Sequence, residues 1–135
     1  MSLPITNPSF IPELIDSQKW SPAFNCYSLL ERVYRVEWGI EIPVLLDVDP
    51  ENLWSVLQKF DQIDSDVWRT ADKPEHGDAV LFGQKSRVSH VGIYLFYDGG
   101  IILHCTKPHG ITCGDLFSLQ RQGYNNPVYK RYESK

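Results

Sequence analysis

The chain predicts an α+β fold in which N-terminal helices pack on a central antiparallel sheet. Two observations predict it. From Asn25 to about residue 60 the apolar residues recur at helical spacing, whereas from Gly77 onward they come in short aliphatic and aromatic runs. Between two of those runs stands Asp98-Gly99-Gly100, a tight-turn signal that makes them a hairpin. Helices first and a meander afterwards put the helices on one sheet face.

Residues up to 22 hold four prolines (Pro4, Pro8, Pro12, Pro22), so an irregular lead-in is expected, with a helical turn near Glu13 to Lys19. The first full helix begins at Asn25, an N-cap residue type, and Leu29, Leu30, Val33 and Val36 define its buried face. Cys26 lies one turn before Leu29 and Leu30, so its thiol points to the core side. Gly39 supplies the stop, and Ile40 to Pro43 leaves extended. A second helix is expected from Asp49-Pro50-Glu51 through Leu53, Trp54, Val56, Leu57 and Phe60, opened by a cap, a first-turn proline and an acid. Asp61 to Pro74 reads as a polar connection interrupted by Val67 and Trp68. Strands are expected at Ala79–Phe82, Val91–Tyr97 and Ile101–Leu103, with shorter ones near Gly110–Cys113 and at Val128–Tyr132. No repeat or linker divides the chain, so residues 1–135 are expected to form one domain.

A length of 135 residues suffices for a core without disulfides or metal. With 42% hydrophobic and 22% charged residues the composition is that of an ordinary globular protein. A net charge of -4 offers no general attraction to nucleic acid or anionic lipid. Three cysteines form no disulfide framework. Neither a basic-then-apolar leader nor an apolar run of about 18 residues is present, so cytoplasmic synthesis is expected, with no signal peptide or membrane span.

The chemistry centres on Cys26. A free thiol has a pKa of about 8.5, and the thiolate is the nucleophile. Unpaired N–H groups at a helix start favour the anion, and an adjacent imidazolium can bring the pKa to roughly 3–4. His90, at the head of Val91-Gly92-Ile93, is the leading base. His104 is the candidate orienter, the group that fixes the tautomer of the base. With Asp98-Gly99 as a two-residue loop, residue 97 pairs with residue 100 and Ile93 falls opposite His104. His90 is then three residues away, roughly 10 Å along the strand, and a bulge or another loop must close the gap. Gly92 permits close approach of a neighbour.

Other clusters carry less. His104, Cys105, His109 and Cys113 fall within ten residues but lack the paired knuckles of a structural zinc site, so no metal or cofactor is expected. Cys105 and Cys113 read as core or half-buried thiols. His76 reads as a turn residue. Trp20 is a candidate for lining a substrate groove, with core packing as the alternative, and Trp38, Trp54 and Trp68 read as core or interface aromatics. Lys130-Arg131 and Arg32 with Arg35 read as solvated faces rather than a nucleic-acid surface.

The runs Asn25-Cys26-Tyr27-Ser28-Leu29, Gly77-Asp78-Ala79-Val80-Leu81-Phe82, Ser89 to Leu95 and Leu103-His104-Cys105 resemble the signature of the NlpC family of papain-like cysteine peptidases over about residues 22 to 132. Val33-Tyr34-Arg35 and Trp38 to Pro43 resemble its tailed-phage tail-tip branch. The resemblance implies a papain-like fold with Cys26 as nucleophile, His90 as general base and His104 as third residue, and a Cys26 N–H that stabilises the oxyanion. It implies cleavage of peptidoglycan stem peptides between D-γ-glutamyl and diaminopimelyl or lysyl residues, tail proteins as partners, and delivery to the cell wall in a virion tail or as an effector. Asn25, Tyr27, Ser89 and Trp20 are the candidate substrate-binding residues. Asn25 stands where the family has aspartate, and Tyr27 and Ser28 depart from its Ser or Trp and Gly. Two rivals stay open: a tail-assembly or interaction module with little activity, and an amidase or acyltransferase using the same thiol.

Overall fold

The computed structural model describes residues 3–4, 10–17, 25–42, 57–60, 67–84, 87–107 and 109–133. In chain order these form α1 (Phe10–Ser17), α2 (Cys26–Trp38), α3 (residues 57–60), β1 (Trp68–Ala71), β2 (Ala79–Gln84), β3 (Arg87–Leu95), β4 (Ile101–Thr106), β5 (Gly110–Gly114), α4 (Leu116–Arg121) and β6 (Val128–Tyr132). The strands make one antiparallel sheet in the order β1-β6-β2-β3-β4-β5. The fold is α+β, with helices on a central antiparallel sheet.

Alternation along the strands sorts the side chains between two faces. Leu81, Val91, Ile93, Leu95, Leu103 and Cys105 pack with Leu29, Leu30, Val33 and Tyr34 of α2 in the larger core. Val80, Phe82 and Ile102 face the other way and are covered by Leu119 of α4, with Tyr94, Tyr124 and Tyr129 at the margin. Helices therefore cover both faces. α4 leaves no periodic signature in the sequence because six residues, Leu116 to Arg121, are too few to show a helical period.

The helix α2 runs as expected. Asn25 caps it, and Gly39 ends it in the left-handed region at φ 63°. Its buried stripe differs from expectation at one position, since Val36 is 62% exposed. Tyr34 and Trp38 meet edge-to-face, and Tyr34 also contacts Trp68 and Tyr132, which turns the contact stripe away from Val36 towards these rings. Of the expected second helix only residues 57–60 are described, and they are helical, with Leu57 and Phe60 buried. The rest of that helix, including Trp54, lies outside the described residues.

The stretch taken as a polar connection contains β1. Trp68 is buried there and pairs with Tyr132 of β6. Lys130 and Arg131 are likewise not solvated. β6 is an inner strand between β1 and β2, so its side chains are covered by neighbours on both sides, and both residues are buried. Lys130 Nζ donates to Thr70 Oγ1 at 2.8 Å. The guanidinium of Arg131 grips the buried Asp78 carboxylate through Nε at 3.1 Å and Nη2 at 2.9 Å, donates to Lys73 O at 2.7 Å, and pairs with Glu75. His76 lies in a turn before β2, as expected, and is buried there, its Nδ1 accepting from Phe96 N–H at 2.9 Å.

The β3–β4 hairpin corrects the expected register. Gly92, not Ile93, lies opposite His104, and Leu95 pairs with Ile101. Five residues, 96–100, close the loop, with Asp98 and Gly99 both at positive φ (50° and 83°). The one-residue shift matters because side chains alternate. Under the two-residue loop His90 and His104 would point to opposite faces; in the observed register they share one.

Asp78 joins β2 to β6 through a desolvated ion pair, and removal of one partner strands a buried charge. We expect Asp78→Ala to lower the unfolding free energy by about 3–5 kcal/mol, measured by urea denaturation.

Candidate active site

Cys26 is the first residue of α2, behind an N-cap in extended conformation. Asn25 Oδ1 accepts the N–H groups of Tyr27 and Ser28, both at 3.1 Å, and Ser28 Oγ accepts the Asn25 N–H at 3.3 Å. Such a reciprocal cap is worth about 1 kcal/mol and pins the first turn. The Cys26 sulfur lies against its own backbone N–H and those of Tyr27 and Val91.

The contact with Val91 follows from the sheet. Tyr94 N–H donates to Asp78 O at 2.8 Å, towards β2, so by alternation the Val91 N–H points to the β4 side. Registered pairing between β3 and β4 ends at Gly92 and His104, although β3 continues to Arg87 and β4 to Thr106. The strands part at this point, and the thiol comes from α2 to the Val91 N–H.

At the same point the histidines meet. His90 Nε2 and His104 Nδ1 are 2.9 Å apart. His90 is two residues from Gly92, the direct partner of His104, so the two are diagonal neighbours and their rings span the gap. β3 extends beyond His90 to Arg87, so this histidine lies within its strand rather than at the strand head. Gly92 makes the approach possible: a Cβ there would come 2.7 Å from Ile102 Cγ2, 3.0 Å from Leu103 O and 3.4 Å from His104 Cβ.

Burial governs the electrostatics. Cys26, His90 and His104 are only 3%, 7% and 1% exposed. Desolvation pushes the Cys26 thiol up to about 11, outweighing the N–H groups of Val91 and Tyr27 that favour the anion. Desolvation, aided by His104, brings His90 down to about 3. His104 falls to about 4 through desolvation and the nearby His109. At rest the thiol and both imidazoles are therefore neutral, and no ion pair of the kind expected from the helix start forms. For His90 to accept a proton from the thiol at Nδ1, its Nε2 must carry the hydrogen and donate to His104 Nδ1.

The other expected site residues take different places. Asn25 is engaged as the cap. Tyr27 packs edge-on against Phe60 with centroids 5.8 Å apart, at the margin of the larger core. Ser89 is exposed and alternates away from His90. Trp20 lies outside the described residues. Cys105 is buried on the α2 side, whereas Cys113 and His109 are exposed. Among the described residues no three His, Cys, Asp or Glu side chains are grouped to hold a metal ion, and no helix is long and apolar enough to cross a membrane.

One residue was missed. Tyr124 stacks on His90 with centroids 4.5 Å apart and 27° between planes, and meets His104 edge-on at 5.4 Å. Its only sequence signal is a lone aromatic among turn residues, Gln122-Gly123-Tyr124-Asn125-Asn126-Pro127.

A model of the NlpC/P60 family matches residues 16–132. Among solved structures, the chain is similar to the crystal structure of the NlpC/p60 domain of peptidoglycan hydrolase SagA, with a TM-score of 0.50 and 16% identity over 92% of this chain and 98% of that one. At that identity the likeness is one of fold. No curated protein matches.

Two measurements test the electrostatics. Alkylation of Cys26 by iodoacetamide, followed by peptide mass spectrometry, should accelerate towards a midpoint near pH 11 and show no reactive plateau at pH 5 to 7. Both histidines hold folded pKa values below the ordinary 6.5. The unfolded chain thus binds more protons between about pH 6.5 and 3, and stability should fall on acidification through that window, by up to about 1.4 kcal/mol per pH unit for each histidine. Denaturation midpoints of wild type and His104→Gln across pH 7 to 4 would show the variant with the flatter profile.

Proposed function

The chain belongs to the NlpC/P60 family, and from that premise we propose that it is a cysteine peptidase hydrolysing peptidoglycan stem peptides with Cys26 as nucleophile, His90 as general base and His104 as orienting residue. The observation that carries this is the 2.9 Å hydrogen bond between two buried imidazoles at the point where the helix-start thiol meets β3. The bond proposed is the one between D-γ-glutamyl and a diaminopimelyl or lysyl residue.

The reaction starts from neutral partners. As the sulfur attacks the carbonyl carbon, the Cys26 proton passes to His90 Nδ1 and the carbonyl electron pair moves to oxygen. The Cys26 N–H, at the positive end of α2, stabilises that oxyanion. Asn25 and Ser28 support it by holding the first turn through the cap. His104 accepts the hydrogen bond of the imidazolium through Nδ1. His90 then protonates the departing amine as the C–N bond breaks, leaving a thioester. Water gives a proton to His90 and attacks the thioester, and the thiol recovers the proton as the acid leaves.

The resemblance of the sequence runs Val33-Tyr34-Arg35 and Trp38 to Pro43 supports a more specific setting, a tail-tip component carried to the cell wall with other tail proteins. The rival reading, an interaction module of little activity, draws on the near-complete burial of Cys26. One experiment separates them. Purified stem peptides incubated with the protein and followed by mass spectrometry should give a γ-glutamyl product, and Cys26→Ser should reduce its rate by about 10³-fold or more. His104→Ala should cost about 10²-fold, within the range of general-base catalysis. Equal, background-level cleavage by wild type and Cys26→Ser would leave the module.

A further inference from the structure

The catalytic reading accounts for three side chains and leaves Tyr124 unexplained. Its ring lies nearly parallel to the His90 imidazole, 4.5 Å away, and edge-on to His104 at 5.4 Å. It also meets Phe82, 6.0 Å away, which is the cross-strand partner of His90 and itself lies 6.2 Å from that imidazole, so the three rings form a triangle. The two rings thus bound the His90 imidazole, Phe82 from β2 and Tyr124 from the turn after α4.

Tyr124 is held to this task by its backbone. Tyr124 N–H donates to Leu119 O at 3.0 Å and Gly123 N–H to Gln120 O at 3.1 Å, closing the end of α4. Asn125 O accepts from Gly83 N–H at 3.0 Å, and Asn126 Nδ2 donates to Gly83 O at 3.0 Å, which ties the turn to β2 beside Phe82. Gly123, at φ 102°, takes the left-handed conformation that the bend into Tyr124 requires. The turn is anchored at both ends, and between the anchors it presents an aromatic ring to the two histidines.

We propose that Tyr124 is a positioning residue of the hydrolytic site, whose ring stacks on His90 to hold the imidazole plane in line with His104 and to keep water off it. The inference rests on the thiol-hydrolase reading and deepens it. A hydrogen bond at Nε2 alone leaves the ring of His90 free to tilt about that bond, and a stacked plane removes the freedom. The position of Nδ1 relative to the sulfur is then set before substrate arrives, which is where misplacement by about 1 Å can cost roughly 10²-fold in rate. The phenol also covers a site that would otherwise open between α4 and β2, and exclusion of water there keeps His90 deprotonated and ready to accept.

The test compares wild type, Tyr124→Phe, Tyr124→Leu and Tyr124→Ala by three readouts: stem-peptide kinetics, the acid limb of kcat/KM, and the His90 ring protons in NMR spectra. Tyr124→Ala should lower kcat about tenfold or more while KM changes less than about threefold. Its acid limb should move up in pH, towards the ordinary imidazole value of about 6.5. Tyr124→Phe keeps the ring and should restore most of the rate and the low acid limb. The ring-current upfield shift of the His90 protons should be present in wild type and Tyr124→Phe and lost in the other two. Tyr124→Leu keeps apolar cover without a stacking plane, so it carries the comparison if Tyr124→Ala fails to fold, and should lose rate while its thermal midpoint stays near wild type. The inference is overturned if Tyr124→Leu or Tyr124→Ala keeps wild-type kcat and acid limb, or if Tyr124→Phe is as impaired as Tyr124→Ala. Failure of the hydrolase reading is distinct: wild type would then show no Cys26-dependent cleavage, while the NMR shift would still report whether the ring is stacked.

Discussion

Two imidazoles can share a hydrogen bond across a hairpin only if they project from the same sheet face, and the pairing of Gly92 with His104 is what meets that condition here. Slipping the register by one residue would send His90 to the α2 side and His104 to the α4 side. Much else in the structure serves this register. The five-residue loop 96–100 sets it, Gly92 lets the neighbouring strand close in, and Asp78 fixes the far end of β2 against Arg131 of β6. The end of pairing at Gly92 then leaves the Val91 N–H for the thiol. The two histidines thereby meet next to the residue whose N–H the Cys26 sulfur contacts.

Burial has a consequence for chemistry. A thiol at a helix start enjoys oriented N–H groups, but their stabilisation of an anion is small beside the cost of taking that anion out of water. The thiol and both imidazoles are therefore neutral at rest. Burial and the neighbouring His104 hold the His90 imidazole neutral, while His104 Nδ1 and the Tyr124 ring fix where it sits.

Legibility differed from element to element for physical reasons. α2 was readable because its cap, its apolar period and its terminal glycine all act within the helix. The β3–β4 hairpin was readable as a hairpin, because Asp98-Gly99 takes up positive φ locally, but not in register, because Phe96 and Tyr97 are drawn into the loop by contacts with His76, outside the hairpin. β1 was missed since its four residues bury only Trp68 against other strands. Lys130 and Arg131 looked solvated because nothing local reveals that β6 lies inside the sheet with Asp78 waiting beside it.

The sequence by itself determined the fold class, the placing of Cys26 at a helix start and the candidate pairing of that thiol with His90 and His104, since each depends on residue type and short-range spacing. Tertiary structure alone decided that the histidines share a face, that Tyr27 packs against Phe60 and Ser89 meets solvent, that the thiol and imidazoles are neutral at rest, and that Tyr124 lies on the His90 ring. Those outcomes depend on strand register and on distance from water, quantities set by contacts between residues far apart in the chain.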